Sequence, residues 1–316
     1  MNPAFSVIWF TTLSGAGYGL LAAIAMSVLV GGQPARALLL LWLLAMAMIT
    51  VGLLSSLAHL GKPLRAWRAL SQWRTSWLSR EGVASLLTYL PALALGALLL
   101  PNLIAANADT PAVRGNAWGI AACILAIVGA GATVVCTAMI YASLKPIPAW
   151  RHRLVLPAYV VFALLTGVAL LAAGLALAGA DARAVAGVLA IAAIAAGATK
   201  WRYWRAIDAL ALPATRGDAV GLPGRQISVF ERPHTQDNYL TREMGFVVAR
   251  KHARRLRVIA VVLFGAVPAL AALIAWVIPA SAPVVLPLAS LSALLGAVVE
   301  RWLFFAQARH LVTLYY

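Results

Sequence analysis

Apolar residues fall along this chain in long blocks, and about eight of them are long enough to cross a hydrocarbon core of about 30 Å as a helix. They run over 5–30, 37–58, 83–100, 117–142, 154–178, 184–199, 258–278 and 284–306. The sixth is short and rich in alanine, yet dropping it breaks the alternation of charge described below. The pattern predicts an all-α integral membrane protein, a single membrane domain over 1–316 built as a bundle of eight transmembrane helices. The first block starts almost at Met1, lacks a basic leader and is too long for a signal core, so no cleavable signal is expected.

Composition agrees. Hydrophobic residues make up 63% of 316 and charged residues 11%, which places the chain among membrane proteins. A net charge of +16 would suggest nucleic acid in a soluble protein; here its placement is the better guide. Lys62, Arg65, Arg68, Arg74 and Arg80 fall between blocks two and three, Lys145, Arg151 and Arg153 between four and five, and the large group from Lys200 to Arg257 between six and seven. The other side holds Arg36, Arg114 and Arg183. Positive-inside bias puts both termini and every basic loop in the cytoplasm. No loop carries a recognisable nucleic-acid module.

Cys123 and Cys136 lie within the fourth block and read as packing residues, leaving no thiolate set for an iron–sulfur cluster. None of the five histidines lies near the middle of a block, and a membrane haem needs axial ligands there, so no haem is expected. No residue set suggests a metal site or a catalytic group of this chain's own. Gly15, Gly17, Gly19, Gly129 and Gly131 allow close approach of helices. Trp67, Trp73, Trp77, Trp150, Trp201 and Trp204 border the basic loops as an interfacial belt. No tandem or inverted repeat supports a transporter, the competing class.

The segment 200–257 is the one large extramembrane loop, irregular at first around Pro213, Pro223 and Pro233. Over about 238–257 an amphipathic helix is expected, with Leu240, Met244, Val247 and Val248 on one face and Arg250 among the basic residues mostly elsewhere. It either lies in the headgroup layer on anionic lipid or forms a docking surface for a soluble partner.

Of nine acidic residues, only Glu81, at the start of the third block, and Glu300, in the eighth, touch spans. An ionisable group inside a span is costly and faces a partner. Arg301 points about 100° away around the helix from Glu300, so its partner is expected on another helix. His59, Glu81 and Glu300 all lie toward the basic ends of their helices, with Lys62 and Arg65 just outside. A quinone between helices would find there donors for its carbonyl oxygens and a histidine suited to proton exchange. Alternatively His59 caps the second helix, and the chain is an anchor that never touches quinone.

The residues Ser55–Trp67, S-S-L-A-H-L-G-K-P-L-R-A-W, followed by S-W-L-S-R-E over Ser76–Glu81, strongly resemble the membrane anchor subunits of dimethyl sulfoxide reductase type, the DmsC family. The resemblance implies eight helices without haem and a bound quinone, ubiquinone or menaquinone. It also implies two partners on the cytoplasmic face, a four-cluster iron–sulfur subunit and a molybdenum catalytic subunit. Carried over, the quinone-site histidine falls on His59 and the acid on Glu81, with Arg65, Ser55 and Lys62 beside them. Glu300 and Tyr141 are proton-relay candidates, although in the family the acid of the last helix stands a few residues before the arginine and here Glu300 adjoins Arg301. Docking is expected at Arg68, Arg74, Leu240, Met244 and Arg250. The opening N-P-A-F-S-V-I-W-F-T-T, Y-A-S-L-K-P-I-P-A-W from Tyr141, Q-D-N-Y-L-T-R-E-M-G-F from Gln236 and E-R-W-L-F-F-A-Q-A-R-H from Glu300 look like the anchors of cytoplasm-facing sulfite dehydrogenases, the SoeC group. Anchors of phenylacetyl-CoA oxidoreductases share these features. If the partner oxidises sulfite, electrons run to quinone; if it reduces dimethyl sulfoxide, they run from quinol.

Overall fold

The computed structural model describes residues 4–101, 117–231 and 248–315. Among them every regular element is helical, and eight helices are long and apolar enough to cross a membrane. We number these α1 Phe5–Val30, α2 Ala35–Ser55, α3 Trp77–Leu99, α4 Ala117–Ala142, α5 Val155–Leu177 and α6 Arg183–Asp208. A seventh, α7, joins Val248–Val261 through a π turn, Val262–Ala266, to Val267–Val277, and α8 is Ala282–Ala306. With 26 residues, α1 is about 39 Å long at 1.5 Å per residue, enough to span with some tilt.

Two halves, α1–α4 and α5–α8, meet where α1 packs on α5 and α8. Of these, α1 and α5 are the most buried of the spanning helices and are apolar on nearly every side. Their approach is set by Gly19 and Gly167, which face each other so closely that a Cβ on either would fall inside the other helix's backbone. Gly17 likewise abuts Ile49, and Gly129 abuts Thr88, whereas Gly15 and Gly131 face open space and hold nothing together. Between α1 and α2 the chain reverses on Gly31 and Gly32, whose φ of 81° and 87° side chains rarely adopt.

The π turn in α7 has a local cause. Pro268 has no N–H, and Val267 donates to Val262, so the Leu263 carbonyl loses its helical partner. Ser292 Oγ of α8 donates to that carbonyl at 2.8 Å. The irregularity thereby becomes a cross-link between the last two helices.

Three boundaries move, the third at α7, whose described part starts at Val248 rather than near 258 and so takes in the end of the stretch expected as a separate amphipathic helix. Helix α3 begins at Trp77 rather than near 83, because Ser76 caps it by accepting from the Ser79 N–H at 3.4 Å. Helix α6 runs to Asp208 rather than stopping near 199. Lys200 is therefore not the first loop residue but a helical one, 1% exposed. Asp208 and Arg257, both expected in the loop, are a helix end and a residue within α7. Arg257 forks onto Asp208, with Nη2 to Oδ1 at 2.8 Å, and reaches Gln307 Oε1 at 3.1 Å. Trp150 and Trp204 are buried rather than part of a belt, since Trp150 donates its Nε1–H to the Phe304 carbonyl at 3.0 Å and Trp204 packs under Lys200.

Candidate functional site

The N-terminus, the α2–α3 connection, the α4–α5 loop and the C-terminus gather at one end of the bundle, the end richest in cations. Leu311 N–H donates to the Pro146 carbonyl at 3.0 Å there, tying the C-terminal segment to the α4–α5 loop. Past Ser55, α2 tightens into a 3₁₀ turn, Ser56–His59, and the chain crosses Gly61 and Lys62 into a second 3₁₀ run, Pro63–Gln72. That run folds back over the start of α3. Ser79 Oγ donates to the Ala69 carbonyl at 2.5 Å, and Arg80 holds the turn by donating to the carbonyls of Trp73 and Arg74 at 2.9 and 2.6 Å.

Beneath this cover lies a cavity of about 900 Å³, walled by the N-terminal part of α1, the end of α2, the first turns of α3, the end of α4 and Phe305. It is mostly apolar, with Leu53, Leu57, Leu70 and Phe10 among its walls. Glu81 and Ser85 provide polar points inside, and Lys62 and Arg65 line it from the connection. Leu54, Leu78 and Leu86 border it while remaining more than half exposed, which opens the space sideways between α2 and α3 to the lipid. Tyr141, Trp150 and Phe305 close the inner end.

Glu81 is 5% exposed. Among the described residues its hydroxyl partner is Ser85, whose Oγ lies 3.4 Å from Glu81 Oε1 while also donating to the Glu81 carbonyl at 2.8 Å. Among the described residues no cation forms an ion pair with it. Ser55, expected in the site, turns away: its hydroxyl lies 2.6 Å from the Gly52 carbonyl and 3.2 Å from that of Ser6, and it does not line the cavity. The backbone of His59 sits in the 3₁₀ turn at the cavity's edge, and its side chain lies outside the described residues. So do Leu240, Met244 and the side chain of Arg250. Arg68 and Arg74 are exposed on the connection, each over its neighbouring tryptophan at 5.5 Å.

Glu300 lies elsewhere. It is fully buried between α6 and α8, with Lys200 Nζ 2.6 Å from Oε1 and Arg301 Nη1 3.5 Å from Oε2. The partner on another helix is Lys200, and Arg301 bends back to join it. Aromatic faces hold both cations: Arg301 lies 3.6 Å from the Tyr159 ring centroid and Lys200 lies 4.2 Å from that of Tyr203. Tyr141 bridges the regions, lining the cavity while stacking on Tyr159 at 6.0 Å. Reading the sequence missed Lys200, Tyr18, Trp150 and Phe305. The available signal for Lys200 was that K-W-R-Y-W-R continues the helical face of the alanine-rich run.

The model of the family described as DMSO reductase anchor subunit (DmsC) matches residues 1–307. The chain belongs to the DmsC family. It is also 31% identical, over 334 aligned positions covering 100% of this chain and 99% of the relative, to a sulfite dehydrogenase subunit of Allochromatium vinosum. As a DmsC anchor it is a multi-pass membrane protein and part of an oxidoreductase complex. Among the described residues of this DmsC chain no cluster of three or more histidine, cysteine or acidic side chains could hold a metal.

Proposed function

We propose that this DmsC protein anchors a molybdenum and iron–sulfur oxidoreductase at the cytoplasmic face of a bacterial inner membrane and binds the quinone through which that complex exchanges electrons with the membrane pool. The observation that carries the reading is the cavity holding Glu81 at the basic end. Its volume of about 900 Å³ falls at the upper end of the range of small-molecule sites, which are mostly apolar with a few fixed polar groups. The lateral opening past Leu54, Leu78 and Leu86 gives an isoprenoid tail a way into lipid, while the polar points suit a ring with carbonyl oxygens.

A bound quinone supplies two-electron chemistry coupled to protons. The chain's own residues do the rest. Glu81 holds or yields a proton at its carboxyl oxygen, Arg65 and Lys62 offer cationic donors at the cover, and the leucine walls exclude bulk water. His59 exchanges protons with the cover side in this reading. The exposed Arg68 and Arg74, on a connection that lies directly over the cavity, suit a docking iron–sulfur partner whose nearest cluster must come close for electron transfer. The same site serves either direction of flow, and the sulfite dehydrogenase relative favours sulfite as donor to the partner and quinone as final acceptor.

The test uses the intact complex. His59→Ala is expected to assemble with its partners and lose most quinone-coupled turnover, measured as sulfite-dependent quinone reduction in membranes. Unchanged turnover counts decisively against the quinone reading. Absence of molybdenum and iron from the co-purified material removes the anchor reading as well. The family's description favours one second reading, an anchor of a dimethyl sulfoxide reductase, and quinol oxidation driven by dimethyl sulfoxide but not reversed by sulfite would select it.

A further inference from the structure

Most hydroxyls inside this bundle satisfy themselves. Thr11, Ser14, Thr137 and Thr166 each donate to a carbonyl four residues back in their own helix. Three behave differently. Thr12, Tyr18 and Tyr159 are 5%, 2% and 3% exposed, and among the described residues none of their oxygens meets a hydrogen-bond partner. A hydroxyl orphaned inside a membrane protein has no bulk solvent to turn to, and leaving it unmet is costly.

All three residues line one small space between α1, α4, α5 and α8, and Arg301 lines it with them. The space measures about 20 Å³, where a single water needs about 10–15 Å³ and a few polar partners. Size and chemistry therefore match one water and nothing larger. The space also stands between the two buried carboxylates. Tyr18 faces Ser85 and Thr133 without closing a hydrogen bond on either, and Ser85 lies 3.4 Å from Glu81 Oε1. On the other side Arg301, over the Tyr159 ring, approaches Glu300 at 3.5 Å.

We propose that this space binds one water molecule, held by the hydroxyls of Thr12, Tyr18 and Tyr159, and that the water fixes the hydroxyls of Tyr18 and Ser85 that stand beside the Glu81 carboxyl. No proton passes through Arg301, and the Lys200–Glu300 pair stays a charged part of the packing. The effect on Glu81 rests on the quinone reading of the cavity; the water site itself does not.

Hydroxyl-radical footprinting of the purified complex by a synchrotron pulse separates the two claims, because radicals formed from an internal water label the side chains around it. Tyr203 is equally buried but already donates to the Ala149 carbonyl at 3.0 Å, and it serves as the dry reference. Tyr18 and Tyr159 are expected to label several-fold faster than Tyr203; equal rates overturn the water site. Thr12→Val should lower labelling at both tyrosines several-fold and raise the solvent deuterium isotope effect on quinone-coupled turnover. Labelling lost with the isotope effect unmoved overturns the effect on Glu81 and leaves the water. Tyr159→Phe, read at Tyr18, repeats both measurements if the valine variant fails to accumulate. Should His59→Ala leave turnover intact, the quinone reading falls, while the labelling comparison still decides the water.

Discussion

Glu81 and Glu300 are 5% and 0% exposed, both toward the basic end of the bundle, and they keep different company. Glu300 has two cations within 3.5 Å, and those cations are themselves boxed by Tyr159 and Tyr203. Glu81 has one serine hydroxyl and a cavity of about 900 Å³ in front of it. Burial alone therefore says little about a membrane carboxylate. A charge compensated on every side is a fixed part of the packing, whereas one with room beside it and no counter-ion is free to exchange a proton with whatever enters that room.

The largest effect should come from Glu300→Gln. It leaves Lys200 and Arg301 buried together without an anion, and breaking a buried pair by removing one partner costs about 3–5 kcal/mol. The expected outcome is a lowered melting temperature and poor recovery of the complex from detergent. A variant as stable as the parent yet inactive would invert the comparison, making Glu300 the chemical group. Next comes Glu81→Gln, an isosteric change in a half-furnished site. Turnover with quinone should fall roughly 100-fold, the lower end of the scale of a lost proton-transfer group, while the melting temperature stays near the parent's. Lost stability with normal turnover per assembled complex would move Glu81 to the structural side.

The smallest effect concerns the loop over the Glu300 half. His152, edge-on to Tyr203 at 5.7 Å, accepts the Leu154 N–H on Nδ1 at 3.2 Å, and burial followed by the charge of Arg153 holds its pKa below the ordinary value. The folded form thus favours the neutral ring, so this stabilisation is present above the ordinary pKa of about 6.5 and is lost as pH falls through the lower folded value. His310 repeats the device, accepting from the Val312 N–H at 3.0 Å with its pKa lowered by burial. Protection of the Leu154 and Val312 amides, with exchange corrected for its intrinsic pH dependence, should therefore fall below about pH 6, with no matching change along α3 near Glu81. Equal acceleration in α3 would show that acid loosens the whole end of the bundle.

Much of the architecture was legible because hydropathy and length are properties of a single segment. The count of eight spans holds among the described residues, and the shifts in their bounds are instructive. The apolar run of α6 ends at Thr199, but the helix continues because Lys200, Tyr203 and Trp204 are buried against α8 and the α4–α5 loop, where Glu300 supplies the missing anion. Hydropathy counts Lys200 as a loop residue because it cannot see that anion. Of the site, the connection after α2 and the Glu81 position were readable from local pattern. The turn of Ser55 away from the cavity was not, since it depends on the Ser6 carbonyl of another helix.

By itself the sequence determined the membrane class, the number of crossings, the basic end and the two carboxylates that enter spans. Each follows from the composition of a contiguous stretch, where the cost of exposing backbone or charge to hydrocarbon leaves little choice. The tertiary structure alone decided that Lys200 answers Glu300, and that, among the described residues, Glu81 has no ion-pair partner beside its cavity and Thr12, Tyr18 and Tyr159 converge without partners on one small space. Those outcomes depend on which helix faces meet, and the glycine contacts that set α1 against α5 fix that only when all eight helices are packed.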